Sequence, residues 1–334
     1  MLAQFLLYLN AVKVLIYDQK LKKEGNLFMK ASDIKKILII GAGTMAAHVS
    51  AQFLLFGRKV VVFVRTEEKE AIVKNRIRNE VMAPRIEEGY FTDEYADKVM
   101  SNLEFIVADP ALTPDDIDLV NESVYEEYDV KEDVWKSFAP YLPKHAILTT
   151  CSSSLRASKF AKACGAPERF LAWHFYMPSF LRNVTDTAPL PETDPEILST
   201  IAELSWEIHE NPAILNKETP GYLANNMLYS FVDMGLTLYR TGAASFEEID
   251  RSWMGVRQEK SGPFGILDAA GIDTMYAILR QWKNTTPENL AILEEKIAKG
   301  EIGEKAGKGF YDYPDPAYKQ PGFLTRPSKV EAKP

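Results

Sequence analysis

Apolar runs too short to be helices recur through the first two-thirds of the chain, with helix-period stretches between them. Residues 36–40 (KILII) and 60–64 (VVVFV) are continuously apolar. That is the pattern of strands covered on both faces of a parallel sheet. Between them, residues 45–56 have helical spacing and Gly57 ends the helix. The three segments form a βαβ unit. Residues 67–102 are charged and predict two helices around "MAPRIEEGYFT". Further apolar runs at 103–107, 117–121, 146–150 and 169–175 predict strands, with helices over 131–139 and 155–163. Strands alternating with helices predict a doubly wound α/β sheet, Rossmann-like in class.

The texture changes near residue 215. Residues 219–242 predict one long helix, with Pro220 near its start and Gly242 at its end. Helices are also predicted over 246–256, 266–282 and 287–299, and no strand signal accompanies them. The expected division is an N-terminal extension at 1–33, a Rossmann-like domain at 34–215, an all-α domain at 216–313 and an irregular proline-rich tail at 314–334. The extension opens with "MLAQFLLYLNAVKVLIY", which falls short of the roughly 20 apolar residues of a membrane span. It also lacks a basic start and a small-residue cleavage site, so it does not read as a secretion signal. Translation is expected to begin at Met29; the alternative is a genuine amphipathic helix.

Charge and cysteine content narrow the partners. A net charge of −8 argues against non-specific attraction to nucleic acid or anionic lipid. The two cysteines, Cys151 and Cys164, form neither a disulfide framework nor a metal cluster. A cytoplasmic protein with a small-molecule substrate and no metal is expected.

The candidate chemistry begins at "GAGTMA". Gly41, Gly43 and Ala46 make a G-x-G-x-x-A loop between the first strand and its helix. Gly41 permits the tight turn, Gly43 lets the backbone approach a pyrophosphate, and Ala46 keeps the helix close to the sheet. The helix start at Thr44 and Met45 then offers free N–H groups to the phosphates. The second strand normally ends in an acid for the ribose hydroxyl. Here Val64 is followed by Arg65 and Thr66, and the first carboxylate is Glu67. Arginine suits a 2′-phosphate and hence NADP. The other reading is that Arg65 stacks on the adenine and the cofactor is NAD.

From residue 34 to 313 the chain resembles the L-3-hydroxyacyl-CoA dehydrogenase family, including its 3-hydroxybutyryl-CoA members. The resemblance rests on "IIGAGTM", "SSSL", "RFLAWHF", "TPGYLANNM", and "GPFGILDAAGID" with "EKAGKGFYDY", in that order. It implies hydride transfer between C3 of a short-chain 3-hydroxyacyl-CoA and a nicotinamide, and a homodimer formed through the C-terminal helices. The family's H-F-F-N-P-V-P stretch, with a glutamate twelve residues after the histidine, falls on His174 and Asp186. His174 is then the base and Asp186 the acid that orients it. Histidine titrates near neutrality, which suits removal of a hydroxyl proton. A carboxylate on its far nitrogen fixes the tautomer, as in other acid–histidine pairs.

The resemblance also assigns Ser153 to the substrate's C3 oxygen and Asn225 to the substrate and nicotinamide. Glu122 becomes the acid beside the nicotinamide, with a plain loop carboxylate as the alternative. Lys74, Arg76, Arg78 and Arg85 are candidates for CoA phosphates, against the alternative of a solvated helix face. Met177, Asp186 and Cys151 replace a family asparagine, glutamate and asparagine. Aspartate is shorter than glutamate by about 1.5 Å. Cys151 reads as a buried filler, with a reactive thiol as the alternative. These departures leave two other readings open: a dehydrogenase of a non-CoA hydroxy acid, such as a sugar acid or a carnitine-like compound, or a weakened nucleotide-binding or structural protein.

Overall fold

The computed structural model describes residues 29–282 and 284–324. The expected translation start and the alternative amphipathic helix concern residues outside that range. The chain divides between Pro220 and Gly221 into two compact units.

The first unit is built on an eight-stranded sheet among the described residues, in the order β3-β2-β1-β4-β5-β6-β7-β8. The strands are β1 Lys36–Ile40, β2 Lys59–Val64, β3 Leu103–Val107, β4 Leu119–Glu122, β5 Ile147–Thr150, β6 Phe170–Phe175, β7 Val184–Pro189 and β8 Asn211–Ile214. All neighbours are parallel except β6 and β7. Helix α1 (Thr44–Leu55) packs on the sheet through Phe53, whose ring meets Trp173 and Phe175 of β6 edge-on. Strand β6 is buried along its whole length because both faces are covered, as parallel sheets require. Burial of Trp173, Phe53 and Phe175 supplies several kcal/mol, at about 25 cal/mol per Å² of apolar surface.

Helix α2 (Glu67–Asn75) continues through a π-helical stretch, Arg76–Met82, into a last turn at Ala83–Glu87. Helix α3 (Asp93–Met100) follows, so the two expected helices are present. Helix α4 (Tyr128–Phe138) buries Lys131, Trp135 and Phe138, a 3.6-period face that includes a lysine.

Three details differ from the expectation. Residues 155–163 form short 3₁₀ turns, Ala157–Lys159 and Ala161–Cys164, in place of a helix. Helix α5 (Pro195–Glu207) and strand β8 lie in a stretch that carried no expectation. Strand β8 contains a proline, and its mixed residues lie at the sheet edge.

The second unit is helical, with α6 Ala224–Arg240, α7 Phe246–Arg257, α8 Pro263–Ala270, α9 Ile272–Leu279 and α10 Pro287–Ala298. Helix α6 begins four residues after Pro220. The helix expected over 266–282 is broken at Gly271, where φ is +89°. Two buried carboxylates organise the core. Asp250 accepts the Phe264 and Gly265 N–H groups at 2.9 Å each, and Asp268 accepts those of Phe310 and Tyr311 at 2.8 Å each. Phe310 and Tyr311 lie in this core, as their apolar character suggested. The described part of the tail is irregular but anchored: Tyr318 and Phe323 are buried and Arg251 Nε donates to Phe323 O.

Glu210, just before β8, is buried, and neither carboxylate oxygen has a hydrogen-bond partner among the described residues. Burial pushes its carboxyl up to about 8. The folded state therefore holds a proton that the unfolded chain, near 4.5, releases. Stability falls as pH rises from about 4.5 to 8. Glu210→Gln should flatten that slope and stabilise the protein at pH ~9 by roughly 3–5 kcal/mol, read from urea titrations at acidic and alkaline pH.

Candidate active site

The carboxyl ends of β1, β2, β4, β5 and β6 share one edge of the sheet, where open α/β sheets bind ligands. A cavity of about 630 Å³ lies there, lined by the glycine loop, the end of β2 and the segment after β4. Gly41 has φ +143°, and a Cβ on it would come within 2.4 Å of Ser123 O. Only glycine lets β1 turn this close to the end of β4. A Cβ on Gly43 would meet no described atom within 4 Å, so that face of the loop is open. Gly43, Thr44 and Met45 line the cavity at the start of α1, whose first turn carries no acid. Ala46 is fully buried behind them, in its helix-to-sheet role. This cradle fits a dinucleotide pyrophosphate: open N–H groups, a positive helix end and room for the ligand.

Val64 is buried, while Arg65 is exposed and lines the cavity together with Lys69. Thr66 precedes α2 as its N-cap residue. Lys69 was not among the expected residues; its place one helical turn beyond Arg65 was the available signal.

Glu122 is wholly buried at the end of β4. Its Oε1 accepts from Lys131 Nζ at 2.7 Å and Val124 N–H at 2.8 Å, and its Oε2 accepts from Thr150 Oγ1 at 2.7 Å. The carboxylate that lines the cavity is Glu126, four residues on. Its Oε1 accepts from Ser152 Oγ and from the Ser153 and Ser154 N–H groups, each at 2.8 Å. Lys131 lies 3.3 Å from its Oε2. Burial acts against this charge, but Lys131 and the serine donors prevail and hold the carboxyl below its usual range. The stretch "NESVYEE" holds three glutamates, and its spacing did not say which of them lines the cavity.

Ser153, His174 and Asp186 come together. Ser153 follows β5, and its Oγ lies 3.1 Å from His174 Nε2. His174 and Asp186 are directly opposed in the antiparallel β6–β7 register, so both side chains share a face. Asp186 Oδ2 is 3.7 Å from His174 Nδ1, beyond hydrogen-bond range. Both side chains are nearly inaccessible to solvent. Asn225 belongs to the helical unit, half-buried in the first turn of α6. Its neighbour Asn226 donates to Tyr222 O at 2.5 Å and accepts from Trp282 Nε1 at 3.2 Å, a structural assignment.

The remaining candidates are mostly occupied. Arg76 Nη1 donates to Ala42 O of the glycine loop, Arg78 pairs with Asp93 and Asp97, and Arg85 pairs with Glu88. Lys74 lines a separate polar hollow with Arg78. Cys151 accepts the Phe175 N–H at 3.4 Å, and burial pushes its thiol up to about 12, which makes it a filler. His48 Nδ1 lies 3.2 Å from Ser179 Oγ, and burial and then Arg85 hold the ring below its ordinary value. His209 stacks on Phe56, and His145 is exposed near Asp118.

Two family models match this chain. The 3-hydroxyacyl-CoA dehydrogenase NAD binding domain covers residues 36–219, and the C-terminal domain of the same family covers 221–313. The chain belongs to the 3-hydroxyacyl-CoA dehydrogenase family. It is therefore an oxidoreductase with a nicotinamide-binding domain. Hydroxyacyl-coenzyme A dehydrogenase, mitochondrial, of Rattus norvegicus is 28% identical over 291 residues, 84% of this chain and 91% of that protein. The 3-hydroxybutyryl-CoA dehydrogenase of Clostridioides difficile is 26% identical over 283 residues, 83% and 99% of the two chains. A solved diketoreductase, described as acting on dicarbonyl compounds, is 30% identical with a TM-score of 0.76, covering 84% of this chain and 99% of its own. No helix among the described residues is long and apolar enough to cross a membrane.

Gly41→Ala drives a methyl group into a backbone carbonyl. It should weaken binding of NADH and NADPH by at least about tenfold with the far-UV spectrum unchanged, as fluorescence titration would show.

Proposed function

We propose that this family member reversibly oxidises the C3 hydroxyl of a short-chain 3-hydroxyacyl-CoA, with His174 as the base. The observation that carries this reading is Ser153 Oγ and Asp186 Oδ2 flanking the two nitrogens of one buried imidazole. Asp186 beside Nδ1 favours the tautomer that carries its proton there, which leaves the Nε2 lone pair toward Ser153. The substrate hydroxyl takes its place against Nε2 and Ser153, so that its proton passes to the imidazole. Asp186 then balances the imidazolium charge in a site with little water. The nicotinamide, when bound, exchanges a hydride with C3. Burial of the acid–histidine pair excludes water from the developing carbonyl.

Arg65 and Lys69 favour NADP. Two cations at the end of β2, where NAD enzymes place a carboxylate, suit a 2′-phosphate. Met177, where the family pattern has asparagine, removes a group able to hold an acyl carbonyl. Together with the diketoreductase relative, that substitution supports a second reading: a free hydroxy acid or a dicarbonyl compound as substrate. A cytoplasmic, dimeric enzyme completes the reading. Met227, Met234 and Leu238 on α6, with Leu223 just before it, are exposed at helical spacing, as are Trp253 and Val256 on α7. A second copy of the helical unit is the fitting cover for such a stripe.

Acetoacetyl-CoA, acetoacetate, a 3,5-diketo ester and sugar acids, each assayed with NADH and NADPH, test the substrate and cofactor. Acetoacetyl-CoA with NADPH should give the highest kcat/KM, and Arg65→Ala should cost NADPH about tenfold more than NADH. His174→Ala should lose at least about a hundredfold in kcat; intact activity would remove His174 as base. In sedimentation velocity the protein should run as a dimer, and Met227→Lys with Met234→Lys should release monomers.

A further inference from the structure

Tyr176 lies two residues past His174, where the family stretch H-F-F-N-P-V-P has a second phenylalanine. Its ring meets the imidazole edge-on, with centroids 4.7 Å apart. Its hydroxyl donates to Asp186 Oδ2 at 2.5 Å, the same oxygen that lies 3.7 Å from His174 Nδ1. The same stretch therefore carries two departures that meet in space: an acid shortened by one bond, and a phenol in reach of that acid. With its backbone in the β7 ladder, the aspartate stands 3.7 Å from the ring, outside hydrogen-bond range. Glutamate, longer by about 1.5 Å, has that reach.

We propose that Tyr176 is a positioning residue, whose hydroxyl holds the buried Asp186 carboxylate aimed at Nδ1 of His174, offsetting the shorter acid. The argument is geometric and electrostatic. A carboxylate buried to this degree needs hydrogen-bond donors. A charged hydrogen bond fixes its rotation more firmly than a neutral one. With Oδ2 pinned, its negative charge stays beside the imidazole even without a direct hydrogen bond, and it still selects the Nδ1–H tautomer. The hydroxyl moves no proton in the reaction.

This inference rests on His174 as the base, and a coupled pair of substitutions separates the two. With acetoacetyl-CoA, or whichever carbonyl substrate turns over, Tyr176→Phe should lower kcat about tenfold with KM nearly unchanged. In an Asp186→Glu background the longer acid reaches the ring by itself, and Tyr176→Phe should then cost less than about twofold. A purely structural tyrosine would cost the same in both backgrounds, and that result would overturn the proposal, as would a wild-type kcat for Tyr176→Phe. A readout free of turnover is the nitrogen-15 spectrum of the four histidines. Tyr176→Phe should convert His174 from the Nδ1–H form to a mixture of tautomers, and an unchanged signal counts against the role. Should His174→Ala keep its activity, the base assignment fails. A dead His174→Ala beside a wild-type-like Tyr176→Phe refutes only the role of Tyr176.

Discussion

The buried carboxylate of Glu122 is the constraint on which the ligand edge of the sheet depends. It is fully enclosed, and it binds the end of β5 through Thr150 and helix α4 through Lys131. Next to it, the Ser123 N–H bonds Ile40 O, and Ser123 O stands against Gly41. Lys131 also reaches Glu126, which gathers the Ser152–Ser154 loop. One ion pair thus ties the nucleotide loop, the serine loop and α4 to the same strand end. Burying two charges is costly, and removing one partner alone leaves the other stranded at about 3–5 kcal/mol. The pair is tolerable because hydrogen bonds occupy both oxygens of Glu122.

The second constraint is the reversal between β6 and β7. Seven neighbour pairings build the sheet, and this is the antiparallel one. Its register sets His174 opposite Asp186. A slip of one residue would place a threonine there and turn the acid to the other face. The register is held from both sides: β6 is buried throughout and β8 pairs with β7 beyond it. With the two residues opposed in this ladder, the acid's oxygen stands 3.7 Å from the ring nitrogen.

The alternation of apolar runs and helix-period segments carried most of the first unit, because strands covered on both faces leave an unmistakable run of branched and apolar residues. The stretch with helix α5 and strand β8 was harder. An edge strand of Asn, Pro, Ala and Ile has neither alternation nor an apolar run. The 3₁₀ turns over 157–164 share enough spacing with a helix to imitate one, and Ser158 is instead held by Glu218. Helices α8 and α9 read as one because Gly271 within an apolar period looks like a tolerated residue until its φ is known.

The sequence by itself determined the glycine loop, most of the strands and helices of the first unit, the family, and the spacing of His174 and Asp186. These are local patterns, in which residue type and spacing already encode the backbone that follows. Tertiary structure alone decided which of two nearby acids is buried and which faces the cavity. It also decided that Arg78 and Arg85 are occupied by neighbouring acids, and that a tyrosine beside the histidine grips the shortened carboxylate. Apart from the local Arg85–Glu88 pair, those outcomes depend on partners that the fold brings together, and no spacing along the sequence records such contacts.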